Sequence, residues 1–190
     1  GSRPDMSVNP VFCPASILTN TATAWVNQIT AGRTVTLGVT SIQGGEAPNV
    51  IPDTADILGS LRFFNDEEGE KAVRIFKNVA EHTAAMNNCQ VQFDDRFCVL
   101  CAPVINDEYY SNLISAALPE VLLENVTVSS CEPWYASESF SCYRRICPSV
   151  LAHLGINNPS YGSGAAHHNG FFDVDEGGLS TGVIGTLKFV

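Results

Sequence analysis

Two adjacent histidines, His167 and His168, are the residues of this chain best suited to chemistry. They lie in a glycine-containing stretch, residues 161–176, which follows a short apolar segment that predicts a strand. A neutral imidazole is a common ligand of metal ions in proteins. A histidine in a polar loop can equally be a surface residue with an ordinary hydrogen-bond partner. The residues alone leave both interpretations open.

Asp175 and Glu176 follow the histidines and precede the last predicted helix. Carboxylates can bind metal ions, but at a helix N-terminus they also accept hydrogen bonds from free N–H groups and complement the helix dipole. We expect capping to be their role. The short loop before the histidines contains Gly162 and Gly164, whose backbone N–H groups could face a substrate carboxylate. A plain connector is the alternative.

Arg62 ends a second stretch with chemical potential, residues 44–62, in which a loop rich in glycine and proline leads into an alternating segment. Period-2 alternation predicts a strand and places Arg62 on one face with Asp56 and Ser60. A guanidinium group binds carboxylates through two parallel hydrogen bonds. The alternative is a solvated strand residue that pairs with Asp56 or another nearby acid.

The elements around Arg62 predict a small sheet with two helices. Asn9 and Pro10 favour a helix start, and Pro14 favours a kink or a delayed start. Residues 34–42 and 55–64 predict a hairpin, Asn65 predicts the cap of a second helix, and residues 89–93 predict a third strand that continues through 97–101. The expected buried stripes are Val11, Ala15, Leu18, Ala22, Trp25 and Ile29 in the first helix, and Val73, Phe76, Ala80 and Ala84 in the second.

The second half of the chain predicts alternating helices and strands. Asn106 or Asp107 favours a helix start, residues 121–129 and 150–154 favour strands, and Ser137 favours the start of another helix. In the helix after Ser137 the residues expected to face inward are Phe140, Tyr143 and Ile146. The first and last helices of this half carry the apolar residues Leu113, Ile114, Ala117 and Leu118, and Leu179, Val183, Ile184 and Leu187, respectively. Such alternation is typical of part of an α/β layer.

Composition excludes several classes of function. The 190 residues carry a formal charge of −10, which argues against nucleic acid or an anionic membrane as partner. No apolar run reaches transmembrane length. The seven cysteines are odd in number and irregularly spaced, so a secreted disulfide framework is not expected and we predict a cytoplasmic protein. We read the lone pair Cys98 and Cys101 as buried apolar residues, and the glycosylation sequon at Asn125 as chance.

Residues 44–62 closely resemble the lid, or dimerisation, domain of the M20 metallopeptidase and amidohydrolase family. The hallmark in that family is a double-glycine loop, then Asn-Val-Ile-Pro, then a strand that ends in arginine. The matching residues here are Gly44, Gly45, Asn49, Val50, Ile51, Pro52 and Arg62.

A second match to this family lies near the end of the chain, in the expected order. Family members end with a Glu-x-Phe helix, a proline, a strand closing in Leu-Gly, and a histidine before Phe-Asp-x-Asp-Glu. The matching residues are Glu138, Phe140, Pro148, Leu154, Gly155, His168, Phe172, Asp173, Asp175 and Glu176. Register therefore selects His168, not His167, as the family's last metal ligand. Ser139 stands where aspartate is common in the family, and Asn169-Gly170 replaces a usual Ser-Pro.

The resemblance implies an α/β (α+β) fold with two parts. Residues 1–102 would form a ferredoxin-like lid of antiparallel sheet and two helices, without its first strand. Residues 103–190 would form the C-terminal segment of a catalytic domain similar to zinc exopeptidases. The family's lid histidine and the N-terminal half of its catalytic domain would then precede residue 1.

The chemistry implied by the resemblance is hydrolysis of an N-acyl amino acid or small peptide by a water that bridges two zinc or manganese ions. His168 would be one metal ligand, whereas Asn49, Arg62 and Gly164 would contact substrate. No catalytic base lies within these residues, so the chain alone is expected to be inactive. The resemblance also implies a homodimer formed through the lid. The alternatives are a non-catalytic dimerisation or binding module derived from the lid and an unrelated ferredoxin-like sensor domain.

Overall fold

The computed structural model describes residues 1–94, 101–122, 128 and 130–190. It divides into two compact units: the first comprises Gly1–Pro103 with Tyr135–Ser139, and the second comprises Val104–Trp134 with Phe140–Val190. The assignment of residues 1–102 to a lid and 103–190 to a catalytic domain stays a prediction. None of the helices in the described ranges combines the length and the apolar character needed to cross a bilayer.

Helix α1 (Phe12–Gln28) begins after a turn in which the side chain of Asn9 accepts a hydrogen bond from the nitrogen of Val11 at 3.0 Å. Pro14 lies within the first turn, where a proline disturbs no intrahelical hydrogen bond. The predicted buried stripe of α1 was wrong by one to two positions. The buried residues are Cys13, Pro14, Ile17 and Thr21, whereas Val11, Ala15 and Ala22 are exposed.

Strands β1 (Val35–Gln43) and β2 (Asp56–Phe63) form the predicted antiparallel hairpin. The pairing begins with Val35 opposite Phe63 and shifts by one residue between Val39 and Ser41. Alternate residues of β1 are half-buried and exposed, as expected of a sheet covered on one face. The long loop between the strands carries Asn49, and the end of β2 carries Arg62.

Helix α2 (Asp66–Met86) starts where predicted, because the side chain of Asn65 accepts a hydrogen bond from the nitrogen of Glu68 at 3.0 Å. It packs along α1, and both helices contribute to the core of the first unit. That core consists of the buried residues Cys13, Ile17 and Ala80, with Ile57, Phe76, Cys89, Val91 and Phe93 packed against them. Of the stripe predicted for α2, Ala80 and Ala84 are fully buried.

The third predicted strand, residues 89–93, is not a strand in the structure. Its odd-numbered residues Cys89, Val91 and Phe93 nevertheless face the core, which explains the strand-like alternation in the sequence. The proposed continuation lies almost wholly outside the described residues. The sheet of the described part of the chain therefore has two strands, and the fold class is a mixed one of antiparallel sheet and helices, as expected.

The second unit contains helices α3 (Glu108–Ala117) and α4 (Gly177–Phe189). Asp107 caps α3 by accepting a hydrogen bond from the nitrogen of Tyr110 at 3.1 Å. The two helices are in contact, and Lys188 of α4 forms a 2.9 Å ion pair with Glu120, which follows α3. Short 3₁₀ turns cover Leu118–Glu120, Ser139–Arg145 and Pro159–Tyr161.

Two expectations for this unit were wrong. Residues 150–154 do not form a strand. Instead, the backbone nitrogen of Leu151 donates to the side-chain oxygen of Asn106 at 2.8 Å, and the side-chain nitrogen of Asn106 donates to the carbonyl of Leu151 at 2.9 Å. A buried parallel strand needs neighbouring strands, and the described residues of this unit supply none. Tyr143 and Ile146, expected to face inward, are 54% and 81% exposed. The strand predicted at residues 121–129 falls largely outside the described residues.

Candidate functional site

His168 lies in a tight turn of the second unit. The nitrogen of Asn169 donates to the carbonyl of Ala166 at 3.2 Å, and His168 itself has a φ of 63°. The left-handed conformation is uncommon for residues with a side chain, and histidine is among the few that tolerate it. The imidazole is exposed and forms no hydrogen bond with any other described residue. It is therefore free to bind a ligand.

The ring of His167 packs against two other aromatic rings. Its ring centroid lies 5.4 Å from that of Trp134 and 5.0 Å from that of Phe172. Trp134 in turn contacts His153 edge to face, with centroids 5.2 Å apart. We call these four residues the ring cluster. Sequence reasoning missed Trp134 and His153, since no spacing signal connects residues so far apart in the chain.

Asp175 caps the last helix, as expected. Its carboxylate accepts a hydrogen bond from the nitrogen of Gly177 at 2.9 Å and another from the amide of Asn158 at 2.7 Å. The bond from Asn158, and then that from Gly177, lower the pKa of Asp175 below its ordinary value. Glu176 is exposed and makes no side-chain cap bond. Throughout the described ranges, no three side chains of His, Cys, Asp or Glu come together in a metal-binding cluster.

Gly164 occupies a position that only glycine suits. Its φ is 126°, and an added Cβ would lie 2.6 Å from the side-chain oxygen of Asn157. Its neighbour Ser163 is buried and accepts a hydrogen bond from the nitrogen of Asn158 at 2.6 Å. The loop before the histidines is therefore held by specific bonds, in contrast to a plain connector. Whether Gly164 contacts substrate stays a prediction.

Arg62 lies near the end of β2, opposite Thr36 of β1, and is half-buried. Its expected alternative role was an ion pair with Asp56 or another acid. Within the described ranges Arg62 has no such ion pair and no side-chain hydrogen bond. Ser60, two residues earlier, lies opposite Gly38 on the same strand pair. The guanidinium group is thus available for a ligand.

Asn49 is exposed in the loop between β1 and β2. The loop turns at Gly45, whose φ of 80° favours glycine and where an added Cβ would lie 3.6 Å from the ring of Pro52. Residues on either side of Asn49, Pro48 and Val50, line an open cleft of about 500 Å³ together with the segment before α1. Asn49 and Arg62 thus belong to the first unit, whereas Gly164 and His168 belong to the second.

Of the cysteines, the six described ones are free thiols. Cys13 is buried, and both this burial and the neighbouring Cys89 raise the pKa of its thiol to about 11. Cys101 is half-buried and its sequence neighbour Cys98 lies outside the described residues, as does the sequon at Asn125. The described cysteines therefore carry no metal-site geometry.

Comparison with known proteins identifies the first unit. Residues 1–87 match the M20 family of peptidase dimerisation domains. The chain is similar to thermostable carboxypeptidase 2 of Saccharolobus solfataricus, with 26% identity over 97% of this chain and 46% of that protein. It is also similar to N-acetylcysteine deacetylase of Bacillus subtilis, with 26% identity over 93% of this chain and 44% of that protein. The chain thus spans less than half the length of these relatives.

The solved structures agree with this result at the level of fold. The YXEP protein of Bacillus subtilis, described as a dinuclear metal binding peptidase from the M20 family, superposes with a TM-score of 0.72. The match has 23% sequence identity and covers 96% of this chain and 45% of that chain. Residues 1–87 thus match an M20 peptidase dimerisation domain, nearly the whole chain is similar in sequence to a carboxypeptidase and a deacetylase, and the solved structure shares its fold.

Proposed function

We propose that this chain supplies the lid and the C-terminal part of the catalytic domain of a metal-dependent amidohydrolase. The substrates are N-acyl amino acids or small peptides, and the bond cleaved is an amide. The observation that carries the proposal is His168, an exposed imidazole with no hydrogen-bond partner in the described part of the chain, at the position of the second family motif.

A divalent metal, zinc or manganese, fits His168 as one ligand of two ions. A neutral imidazole is an ordinary ligand of both metals, and nothing among the described residues competes for its nitrogen atoms. When bound, the metal pair would polarise the scissile carbonyl and lower the pKa of a bound water. His168 alone cannot hold two ions, so the remaining ligands and the general base come from residues outside these 190.

The substrate carboxylate is the natural partner of Arg62. A half-buried guanidinium group with no ion-pair partner among the described residues retains its full capacity for a bidentate contact. Asn49 offers a side-chain amide in the exposed loop of the same unit, and Gly164 offers a backbone N–H in the second unit. Each of these groups is a candidate contact for an N-acyl amino acid.

The partners of the chain follow from its exposed apolar surface. Three residues along one face of α4 are more than half exposed: Leu179 at 58%, Val183 at 59% and Leu187 at 71%. Among the described residues of the second unit, only the small side chains of Ser141 and Ser163 are fully buried. We propose that this face packs against the N-terminal half of the catalytic domain. The dimerisation domain supports a homodimer through the lid, and the free thiols support a cytoplasmic location.

The test is hydrolysis of N-acetyl and N-benzoyl amino acids by the protein isolated from its natural source, followed as release of the free amino acid. We expect activity that a chelator abolishes and that zinc or manganese restores, and no activity from the 190-residue chain. In a recombinant form of the natural protein, His168→Ala should lower activity at least about 100-fold, whereas the matched variant His82→Ala, at an exposed histidine of α2, should retain most of it.

A non-catalytic binding or dimerisation module is the second candidate, because the lid is the part of the chain that the family match covers. An intact mass of the natural protein near 20.4 kDa, together with no metal-dependent hydrolysis, would favour that module. A mass near twice that value with activity that survives His168→Ala would refute the role given to His168.

A further inference from the structure

The backbone at His168 needs support that its own side chain does not supply. Among the described residues other than glycine, only Asn88 and His168 have a positive φ. The left-handed conformation costs free energy for a residue with a Cβ, so it persists where neighbouring contacts determine it. Because the imidazole of His168 bonds to no other described residue, the support must come from the residues that flank it.

The residue before His168 is held by rings, whereas Asn169, after it, is held by hydrogen bonds with Ala166 and Phe172. His167 packs against Trp134 with the two ring planes inclined by 65°, and against Phe172 with the planes inclined by 55°. Both centroid separations, 5.4 and 5.0 Å, lie in the range where aromatic pairs attract each other. The contact between His167 and Phe172 closes the turn around His168, and Trp134 packs against the ring of His167.

Trp134 is itself anchored within the second unit. His153 packs edge to face against it, at an interplanar angle of 82°. Two residues before His153, the backbone N–H and carbonyl of Leu151 are both bonded by the side chain of Asn106, next to the residue that caps α3. A continuous series of contacts thus runs from the start of α3 to the turn that carries His168.

We propose that Trp134 is a positioning residue for His168. It holds the ring of His167, and through it the turn of residues 166–169, in the one conformation that presents the His168 imidazole to a metal ion. Trp134 touches neither metal nor substrate. The proposal rests on the metal role of His168 given above, and it adds a residue outside both family motifs.

The test uses the 190-residue chain with isotope-labelled histidine and zinc chloride as the only added ligand. In the wild type we expect one sharp NMR signal from the His168 imidazole, which shifts on zinc addition. Trp134→Ala should broaden or split that signal before zinc is added and should weaken zinc binding at His168 by about tenfold. The control is Tyr161→Ala, an aromatic residue of the same unit that is 75% exposed, which should change neither reading.

Three further variants separate positioning from other effects. Trp134→Phe keeps a ring against His167 and should restore the sharp signal and the zinc affinity to within about twofold. His167→Phe keeps the packing but removes the nitrogen atoms, so it should also behave as the wild type. Trp134→Leu retains bulk without a ring; it should show the losses of Trp134→Ala and replaces that variant if alanine prevents folding.

The proposal is overturned if the folded alanine or leucine variant keeps both the sharp signal and the wild-type zinc affinity. It is also overturned if His167→Phe loses as much affinity as His168→Ala, because His167 would then be a ligand. If His168→Ala leaves zinc binding unchanged, the metal role of His168 fails instead. The shape of the His168 signal without zinc still decides whether Trp134 positions it.

Discussion

The carboxylate of Glu68 accepts two hydrogen bonds from Thr30, one from the backbone nitrogen at 3.1 Å and one from the hydroxyl at 2.5 Å. Lys71, one turn along α2, lies 3.6 Å from the same carboxylate. Glu68 is only 8% exposed, so its charge depends on these partners. The contact joins the residues that follow α1 to the first turn of α2, and therefore fixes one end of the helix pair in the first unit.

These contacts make the stability of the first unit dependent on pH. The hydroxyl of Thr30, then its backbone nitrogen and the charge of Lys71, lower the pKa of Glu68 below its ordinary 4.5. A lowered pKa in the folded state stabilises the fold above the unfolded pKa, and that stabilisation is lost as the pH falls through the folded value. Glu68→Gln should therefore lower the melting temperature most at neutral pH, and the difference from wild type should shrink below pH 4.5.

The matched control for this measurement is Glu67→Gln, which removes an exposed carboxylate from the same helical turn. Thermal unfolding monitored by circular dichroism between about pH 3 and pH 7, a range that spans the titration of carboxylates, should show a pH-dependent difference for Glu68 alone. Equal pH dependence of the two variants would contradict the role of Thr30.

Gly69 is a site where a better helix former should destabilise the protein. Alanine normally favours a helix interior over glycine by about 1 kcal/mol. Here an added Cβ would lie 2.5 Å from the ring of Phe63, closer than the packing can tolerate. Gly69→Ala should therefore reduce the free energy of unfolding by about 1–3 kcal/mol in urea denaturation. Gly155→Ala, where no atom lies within 4 Å of the new methyl, should change it by less than about 0.5 kcal/mol.

Two aliphatic residues of α1 provide a direct test of its buried face. Ile17 is 4% exposed and belongs to the core cluster, whereas Val26 on the same helix is 85% exposed. Ile17→Ala should cost about 2–5 kcal/mol of unfolding free energy because it leaves a cavity. Val26→Ala should be nearly neutral by the same urea titration. A similar cost at both positions would mean that α1 is rotated from the orientation described.

The orientation of α1 was the part of the lid that the sequence predicted least well. Apolar residues occur all around this helix, so the period-3.6 signal allowed more than one stripe. The stripe through Val11, Ala15 and Ala22 looked more apolar, but the structure buries Cys13 and Thr21 instead. Thr21 is 2% exposed, and a buried threonine is invisible to a search for apolar spacing. The starts of α2 and α3 were predicted correctly, because Asn65 and Asp107 act within their own turns, whereas the helix expected after Ser137 is a 3₁₀ turn at Ser139–Arg145.

Some residues of the candidate site could be predicted from local sequence patterns, whereas others depend on contacts between distant segments. Arg62 and His168 were identified from short motifs, and the capping role of Asp175 followed from its place before α4. The ring cluster around Trp134 depends on contacts between distant segments, which no local pattern encodes. The strand expected at residues 150–154 failed for a related reason: a strand forms only with a partner strand, and pairing is a property of the whole sheet.

The thiols should differ widely in reactivity. Burial and the adjacent Cys89 raise the pKa of Cys13 to about 11, so its thiolate is scarce at pH 8. Cys131, Cys142 and Cys147 are exposed. Alkylation by iodoacetamide at pH 8, read by peptide mass spectrometry, should label these three first and Cys13 only on unfolding. Rapid labelling of Cys13 in the folded chain would contradict its burial in the core.

The same thiol should weaken the lid at high pH. A pKa raised in the folded state means that the stabilisation is complete below the ordinary value of 9.0 and is lost as the pH rises toward about 11. Cys13→Ala, compared with wild type by urea denaturation, should therefore show a smaller decline in stability over this range. An identical decline in both proteins would assign it to other groups.

Arg62 provides the sharpest test of substrate recognition. If its guanidinium binds the substrate carboxylate, Arg62→Ala in the active natural protein should lower kcat/KM for N-acyl amino acids by about 10- to 100-fold, the value of a charge-assisted hydrogen bond. The loss should appear mainly in KM. Folding should be little affected, because within the described ranges Arg62 has no ion pair to lose.

The substrate itself supplies a control for this prediction. An N-acyl amino acid amide has the same scissile bond but no carboxylate, so Arg62→Ala should leave its kcat/KM nearly unchanged. Arg62→Lys keeps the charge but loses the bidentate geometry and should fall between alanine and wild type. Arg33→Ala removes an exposed arginine of the same unit and should behave as wild type with both substrates. Equal losses on the acid and the amide would show that Arg62 supports the lid structurally and does not read the carboxylate.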